Sequence, residues 1–151
     1  MECDKLKRLF AGLVTYNYNL KLLHWNCKGK HFDECHNIVS SYIGQLDEYI
    51  DDVAEITKMF GDKPLCLDCV IKTITNDNSH EFLYLECDTE YDSKEVWRKI
   101  RLMFDSLVEL YHDTIYDEKK ILTDDVISKL QEHQYWLRKE SFYKIKARLD
   151  D

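Results

Sequence analysis

The chain has 151 residues, of which 44% are hydrophobic and 33% are charged, and its formal net charge is −8. This length suits a single domain, residues 1–151, with enough chain to build a hydrophobic core. One proline and four glycines are few for a turn-rich β protein, and they favour long uninterrupted helices. The acidic balance disfavours binding to DNA phosphates, unless basic residues are segregated, and it suits the attraction of cations.

The sequence carries no signal for a membrane or for secretion. No apolar run reaches the length of about eighteen residues that a membrane-spanning helix needs. The segment from Met1 to Lys5 lacks a secretory pattern, so a cytoplasmic location is expected. Six cysteines at irregular spacing are expected to be reduced thiols there, because a chain of this size needs no disulfides.

Cys66 and Cys69 form a CxxC motif, which is half of a zinc site. Cys87 could supply a third ligand, but a single CxxC is weak evidence for zinc. A zinc- or redox-responsive helical protein that uses these three cysteines is one alternative interpretation of the chain.

Two long helices are predicted in the first half of the chain. Apolar residues recur at intervals of three and four along residues 5–27 and again along residues 33–60, as one face of a helix requires. Gly29 ends the first helix, and Gly61 and Pro64 follow the end of the second. Short turns of this kind place consecutive helices antiparallel.

Residues 61–92 lose this periodicity, and we predict a long crossover with a short helix near 68–74. A third helix should begin at Asp92 or Ser93, and a fourth should follow Thr123, since these residues are suitable N-caps. The predicted inward face of the fourth helix includes Ile127, Leu130, Gln134, Leu137 and Ser141. Two helix pairs joined by one long crossover predict an all-α fold of the ferritin-like four-helix bundle type.

Two pairs of side chains could bind a metal. His24 and His36 lie at similar distances from the first predicted turn, so they should reach the same height in an antiparallel hairpin. Asp51 and Glu55 lie four positions apart on one face of the second helix. Imidazole nitrogen and carboxylate oxygen are ligands that iron accepts. Taken alone, each histidine is more readily explained as a structural residue, and the two carboxylates as part of a solvated acidic stripe.

The two pairs cannot meet within one straight helix, because His36 and Asp51 are separated by about 22 Å along the helix axis. If they share a metal, the second pair belongs to another copy of the chain. Antiparallel packing of two second helices near Gly44 would bring the pairs together and form two equivalent sites per dimer. A conventional di-iron centre within one subunit is poorly supported, because the Glu-x-x-His motif occurs only at Glu109 and His112.

The sequence resembles a known family. His24-Trp25-Asn26-x-x-Gly29-x-x-Phe32-x-x-x-His36, followed by Asp51-x-x-Ala54-Glu55, resembles the signature of Dps-type mini-ferritins. Leu130-Gln131-Glu132-His133-Gln134-x-Trp136-Leu137-Arg138 is similar to the last helix of that family. The resemblance implies a hollow shell of twelve subunits with ferroxidase centres at two-fold interfaces. There, Fe(II) is oxidised, typically by hydrogen peroxide, and ferric mineral is stored inside.

The resemblance also implies a role for each candidate ligand. His24 and His36 match the histidines that bind iron from one subunit, and Asp51 and Glu55 match the carboxylates that its partner supplies. Trp25 matches the tryptophan beside the centre, which either accepts stray oxidising equivalents or packs at the interface. Iron is implied to enter through pores near the start of the last helix. The acidic candidates there are Asp117, Glu118, Asp124 and Asp125, of which the last two equally suit the helix dipole.

Two departures from the family pattern bear on function. Ser40 stands where the family usually has an aspartate, and a hydroxyl is a poorer iron ligand than a carboxylate. Oxidation is therefore expected to be weakened. Basic residues near the carboxyl end are followed by Asp150 and Asp151, which disfavours DNA binding. A shell that has lost efficient oxidation and serves as a structural or DNA-associating particle is the alternative function.

Overall fold

Four long helices dominate the molecule, and a computed structural model describes them within residues 4–150. The elements are α1 (Asp4–Asn26), α2 (Phe32–Met59), α3 (Leu67–Thr75), α4 (Ser93–Asp117) and α5 (Asp124–Lys139), followed by a π-helical turn (Glu140–Ile145) and α6 (Lys146–Leu149). This confirms the predicted ferritin-like bundle with a short helix in the crossover. Within this range, no helix is both long and apolar enough to cross a membrane. Met1 to Cys3 and Asp151, which the sequence predictions used, lie outside the described residues.

The α1–α2 hairpin carries the first half of the core. Its observed bounds differ from the predicted ones by one residue at each end. Leucines at intervals of three and four along α1 are fully buried, and α1 packs against both α2 and α4. Gly29 has φ +101°, a left-handed conformation that glycine adopts without steric cost, and its carbonyl accepts a hydrogen bond from Phe32 N at 3.1 Å. The turn between the two helices is therefore short and specified locally.

The crossover is held against α1 by polar contacts. The Arg8 guanidinium is buried and pairs with Asp77, and Asn19 Nδ2 donates to the Leu83 carbonyl at 2.9 Å. Near its end the crossover forms a single parallel bridge with the α1–α2 turn, in which Tyr91 N donates to Asn26 O at 2.8 Å. These contacts fix the path of a segment whose sequence has little helical period.

The N-caps of α4 and α5 follow the sequence. Asp92, and not Ser93, caps α4, because its Oδ1 accepts from Glu95 N at 2.9 Å. Thr123 caps α5, where its Oγ1 accepts from Val126 N at 3.4 Å. A side-chain acceptor at this position satisfies one of the unpaired N–H groups that every helix start exposes.

The inward face of α5 differs in part from the prediction. Ile127 and Gln134 are only half-buried, whereas Val126 and His133 are buried beside Leu130 and Leu137. The buried stripe is therefore rotated toward Val126, and it includes a histidine that an apolar pattern does not reveal. Gln134 lies at its edge and donates to the Val108 carbonyl at 3.0 Å. Ser141 is buried, as predicted.

Candidate metal centre

The structure brings His24 and His36 together at the apex of the α1–α2 hairpin. Their rings stack with centroids 3.7 Å apart and planes inclined by 21°. The Nδ1 atom of each ring lies 3.1 Å from the backbone carbonyl oxygen of the other residue. A carbonyl can only accept, so both Nδ1 atoms carry a proton, and neither Nε2 has a partner among residues 4–150. Two stacked imidazoles whose Nε2 atoms are not used within the described fold could serve together as metal ligands.

The surroundings of the pair fix it in place. The Phe32 ring stacks on His36 with centroids 5.0 Å apart. Cys27 and Cys35 are buried behind the pair, and the Cys27 thiol donates to the His24 carbonyl at 3.5 Å. Burial raises the pKa of Cys27, and it raises the pKa of Cys35 to about 12. Both sulfurs therefore remain thiols at neutral pH in the absence of a metal.

The carboxylates of Asp51 and Glu55 lie on the exposed face of α2, one turn apart. Within residues 4–150, neither carboxylate has a hydrogen bond or an ion pair. The neighbouring Asp52 behaves differently, because it accepts from His133 Nε2 at 2.9 Å and pairs with Lys129 Nζ at 3.4 Å. Of these three carboxylates, Asp52 is thus held by contacts within the fold, whereas Asp51 and Glu55 are unpaired among residues 4–150.

One subunit does not complete a metal site. Among residues 4–150, no group of three or more His, Cys, Asp and Glu side chains is placed to hold a metal ion. The histidine pair and the carboxylate pair therefore stand apart on the same chain. Likewise, Cys87 does not join Cys66 and Cys69, so the three-ligand zinc site does not form within the described part of a subunit.

The face of α2 between the two pairs is open. Gly44 lies in the middle of this helix, and a Cβ added there would meet no atom within 4 Å. Ser40, one turn earlier, is exposed. Trp25, which follows His24 in the chain, is 60% exposed. Its ring meets the Tyr18 ring edge-on, with centroids 6.4 Å apart. Packing within one subunit therefore gives no reason for a glycine at position 44 or for an exposed indole at position 25.

A buried polar network, which no sequence pattern predicted, lies under the carboxylate face. Tyr111 Oη lies 2.7 Å from His133 Nδ1, and the Tyr49 ring stacks on His133 at 3.8 Å. Because His133 Nε2 faces the Asp52 carboxylate, Nε2 carries the proton and Tyr111 donates to Nδ1. Burial lowers the pKa of His133 and raises that of Tyr111, so both are neutral at neutral pH. The network fixes Asp52, the residue next to Asp51.

Two of the four acidic pore candidates contact Lys5 within the subunit. Glu118 is buried, and its Oε1 accepts from the backbone N of Lys5 at 3.1 Å. Asp117 pairs with the Lys5 ammonium at 3.7 Å. Asp124 and Asp125 are exposed in the first turn of α5. Of the four predicted candidates, Glu118 is therefore the one that is buried by contacts within the subunit.

Comparison with known proteins gives the family. The profile of the ferritin-like domain matches residues 3–140, and the chain belongs to the ferritin-like domain family. Antigen TpF1 from Treponema pallidum is similar in structure, with a TM-score of 0.85 at 17% identity over 99% of this chain and 91% of that chain. For Helicobacter cinaedi CAIP the TM-score is 0.85 at 20% identity, over 97% of this chain and 98% of that chain.

A Dps protein from Vibrio cholerae O1, described as a member of a broad superfamily of ferritin-like diiron-carboxylate proteins, has a TM-score of 0.84. It shares 18% identity over 97% of this chain and 87% of that chain. No curated protein matches the chain. These likenesses confirm the predicted Dps-type mini-ferritin fold. Family and fold together support an iron-binding mini-ferritin in general.

Proposed function

We propose that this chain is a mini-ferritin subunit that oxidises Fe(II) with hydrogen peroxide at sites shared between two subunits. The ferric product is stored in a hollow shell of identical subunits, for which a dodecamer is the expected size. The observation that carries this proposal is the reciprocal hydrogen bonding of His24 and His36, which leaves both Nε2 atoms available. His133, which is buried in the bundle, instead uses both ring nitrogens within the fold.

The missing ligands come from a second subunit. Two α2 helices that pack antiparallel across a two-fold axis near Gly44 place His36 of one chain against Asp51 of the other, since 44 is close to the midpoint of their positions. The open space over Gly44 supports this contact, because a mid-helix glycine costs about 0.5–1 kcal/mol relative to alanine and needs a compensating role. The symmetry creates two equivalent sites per dimer.

The ligand types suit the reaction. Neutral imidazoles bind Fe(II), and the carboxylates of Asp51 and Glu55 stabilise the Fe(III) product by charge. Two Fe(II) ions each give one electron to hydrogen peroxide, and with two protons the products are two Fe(III) ions and two water molecules. Delivery of both electrons at one site cleaves the O–O bond without release of hydroxyl radical. Trp25, which is exposed and follows His24 in the chain, would donate an electron to any oxidant that escapes this route.

Ser40 weakens one part of the site. Its hydroxyl is a poorer ligand than the carboxylate usual in the family, so the second Fe(II) ion binds less tightly and oxidation is slower. This motivates the second candidate function, a shell that acts mainly as a structural or DNA-associating particle.

DNA association is disfavoured by the contacts of the basic residues near the carboxyl end. Lys144 pairs with Glu140 and Lys146 pairs with Asp150, while Arg148 pairs with Glu34 and lies over the Trp97 ring at 5.1 Å. Cations engaged in this way have less to gain from phosphate. A gel shift at low salt tests this, and binding to duplex DNA would favour the second candidate.

The function is tested by stopped-flow oxidation of Fe(II) with hydrogen peroxide. His24→Gly and Asp51→Asn should each slow oxidation about 100-fold, because loss of a ligand costs at least as much as loss of its supporting partners. Glu48→Gln is the matched control, since Glu48 is an exposed carboxylate on the same helix. Unchanged rates in both ligand variants would show that this site assignment is wrong.

A further inference from the structure

A second reactive feature lies at the start of α3, far along the chain from the histidine pair. Cys66 is the N-cap of this helix, with extended backbone angles of φ −73° and ψ 166°, and Cys69 lies in its first turn. The helix begins with a bond of 2.9 Å from Val70 N to Cys66 O. The spacing of three residues therefore puts both sulfurs at the same end of the helix. Both residues are exposed.

The two thiols are not equivalent. The backbone N–H of Cys69, the Cys69 thiol and the backbone N–H of Asp68 lower the pKa of Cys66, although none of these N–H groups makes an N-cap hydrogen bond of ordinary geometry to the sulfur. Contact with Cys66 raises the pKa of Cys69 in turn. Cys66 is therefore the more readily ionised of the two thiols.

Charges nearby do not cancel this difference. The Asp68 carboxylate opposes ionisation of Cys66, but it is paired with Lys72 at 2.8 Å, one turn later. That ion pair reduces the negative potential that the sulfurs experience. Two exposed thiols one turn apart, of which Cys66 ionises more readily, have the arrangement of an attacking sulfur and a resolving sulfur.

The other cysteines supply internal comparisons. Cys27 and Cys35 also interact, but they are only 5% and 1% exposed, and burial raises the pKa of both. Cys87 is exposed in the crossover and belongs to no CxxC motif, so no second thiol lies near it in the sequence. Within residues 4–150, Cys66 is thus the cysteine that is exposed, has a second exposed thiol one helical turn away and has a lowered pKa.

We propose that Cys66 and Cys69 form a redox-active dithiol that undergoes exchange with low-molecular-weight disulfides. The Cys66 thiolate attacks one sulfur of the disulfide, forming a mixed disulfide and releasing one thiolate. Cys69 then attacks the Cys66 sulfur, loses its proton to solvent, and expels the second thiolate. The protein dithiol is oxidised to a disulfide, and the small disulfide is reduced to two thiols.

This activity does not depend on iron, so the test uses the assembled protein without iron. The protein is incubated with oxidised glutathione at neutral pH, quenched with acid, alkylated and mapped by mass spectrometry. We expect a Cys66–Cys69 disulfide to form, while Cys27 and Cys35 stay reduced. The rate at Cys66 should exceed that at Cys87 by about tenfold, since the thiolate is the reacting form.

Two variants separate the roles of the sulfurs. Cys69→Ser should trap the mixed disulfide on Cys66, because no resolving thiol remains. Cys66→Ser should slow reaction at Cys69 to the rate of Cys87. Both positions are exposed, so neither change removes core packing. A Cys87→Ser variant is the control and should leave formation of the Cys66–Cys69 disulfide unchanged.

Several outcomes would overturn the proposal. Equal rates at Cys66 and Cys87 would show that the helix start does not activate Cys66. Failure of Cys69→Ser to accumulate a mixed disulfide would remove the resolving role of Cys69. Protection of Cys66 in the native assembly would mean that a subunit contact covers it. Reaction only after treatment with a chelator would assign the pair to a bound metal instead.

Discussion

The hairpin apex and the outer face of α2 differ in how far a single subunit completes them. At the apex, His24 and His36 are stacked, reciprocally hydrogen-bonded and backed by buried side chains. On the outer face, Asp51 and Glu55 have no partner among residues 4–150, and the helix between the two regions is open at Gly44. The histidine half of the proposed site is preformed, whereas its carboxylate half is left unpaired within the described part of the subunit.

This difference suggests that association, and not folding, completes the site. A preformed pair of imidazoles lowers the free-energy cost of binding iron, because the ring positions and the Nδ1 protons are already fixed. Unpaired carboxylates stay hydrated until a partner brings a cation or a histidine pair to them. Iron oxidation is therefore expected to depend on the dimer, while the fold is expected to survive without it.

The largest effect is expected from a substitution that separates the two subunits, and with them the two halves of the proposed shared site. Gly44→Leu should place two bulky side chains at the helix crossing, at a cost of about 1–3 kcal/mol each, and weaken the dimer about 100-fold or more. The isolated bundle should remain helical, since nothing in the subunit lies within 4 Å of a Cβ at this position. Analytical ultracentrifugation and circular dichroism measure the two effects.

Gly12→Ala is the control for Gly44→Leu, because it also adds a side chain at a helical glycine. A Cβ there would come within 2.6 Å of Leu110 Cδ1, inside the subunit. It should lower the free energy of unfolding by about 1–3 kcal/mol without acting directly on the dimer contact. If Gly44→Leu left assembly intact, α2 would not cross its partner near this residue.

A smaller effect is expected at Ser40, which lies between the two halves on α2. Ser40→Asp should supply a carboxylate that hydrated Fe(II) prefers to a hydroxyl, and it should speed oxidation up to about tenfold. Stopped-flow kinetics at limiting Fe(II) measure this change. Ser41→Asp, an exposed neighbour on another face of the helix, is the control and should have no effect. An equal gain in both variants would indicate that added negative charge attracts iron nonspecifically.

The smallest effect is expected on the pH dependence of stability, and it comes from His133 in the network beneath the carboxylates. Burial lowers the pKa of His133 below its ordinary value of 6.5, so the unfolded chain binds this proton more readily than the folded one. The stability that neutral His133 provides is present above pH 6.5 and is lost as pH falls through the lower folded value. Asp52 and Tyr111 hydrogen-bond to this ring, and Lys129 and Glu132 act on it through charge.

The Tm of the native protein should therefore fall below about pH 6.5, and the fall should be shallower in His133→Gln. Part of the slope should remain, because burial also lowers the pKa of His80. Scanning calorimetry of His133→Gln and of the double variant with His80→Gln measures both contributions. An identical slope in the native protein and in the double variant would contradict this assignment.

Much of the fold follows from local patterns in the sequence. Apolar residues at helical spacing set α1, α2 and α4, and Asp92 and Thr123 cap their helices through contacts only three residues away. The proximity of His24 and His36 was also predictable, because the turn at Gly29 lies nearly midway between them. These features depend on short-range geometry, which the chain order determines.

Other features depend on contacts between distant segments. His133 is buried because Asp52 and Tyr111 meet it in the core, 81 and 22 residues away along the chain. Glu118 is buried because it reaches the backbone of Lys5, 113 residues away. The tautomers of the two histidines depend on backbone carbonyls, which no residue type encodes. No single stretch of sequence carries these signals.

Subunit complementation tests the shared site most directly. Subunits carrying His24→Gly are mixed with subunits carrying Asp51→Asn, reassociated, and assayed for Fe(II) oxidation. Each mixed dimer then contains one site with both native halves, so random pairing should restore about a quarter of the sites. Mixtures that stay as inactive as either variant alone would show that all four ligands act within one subunit.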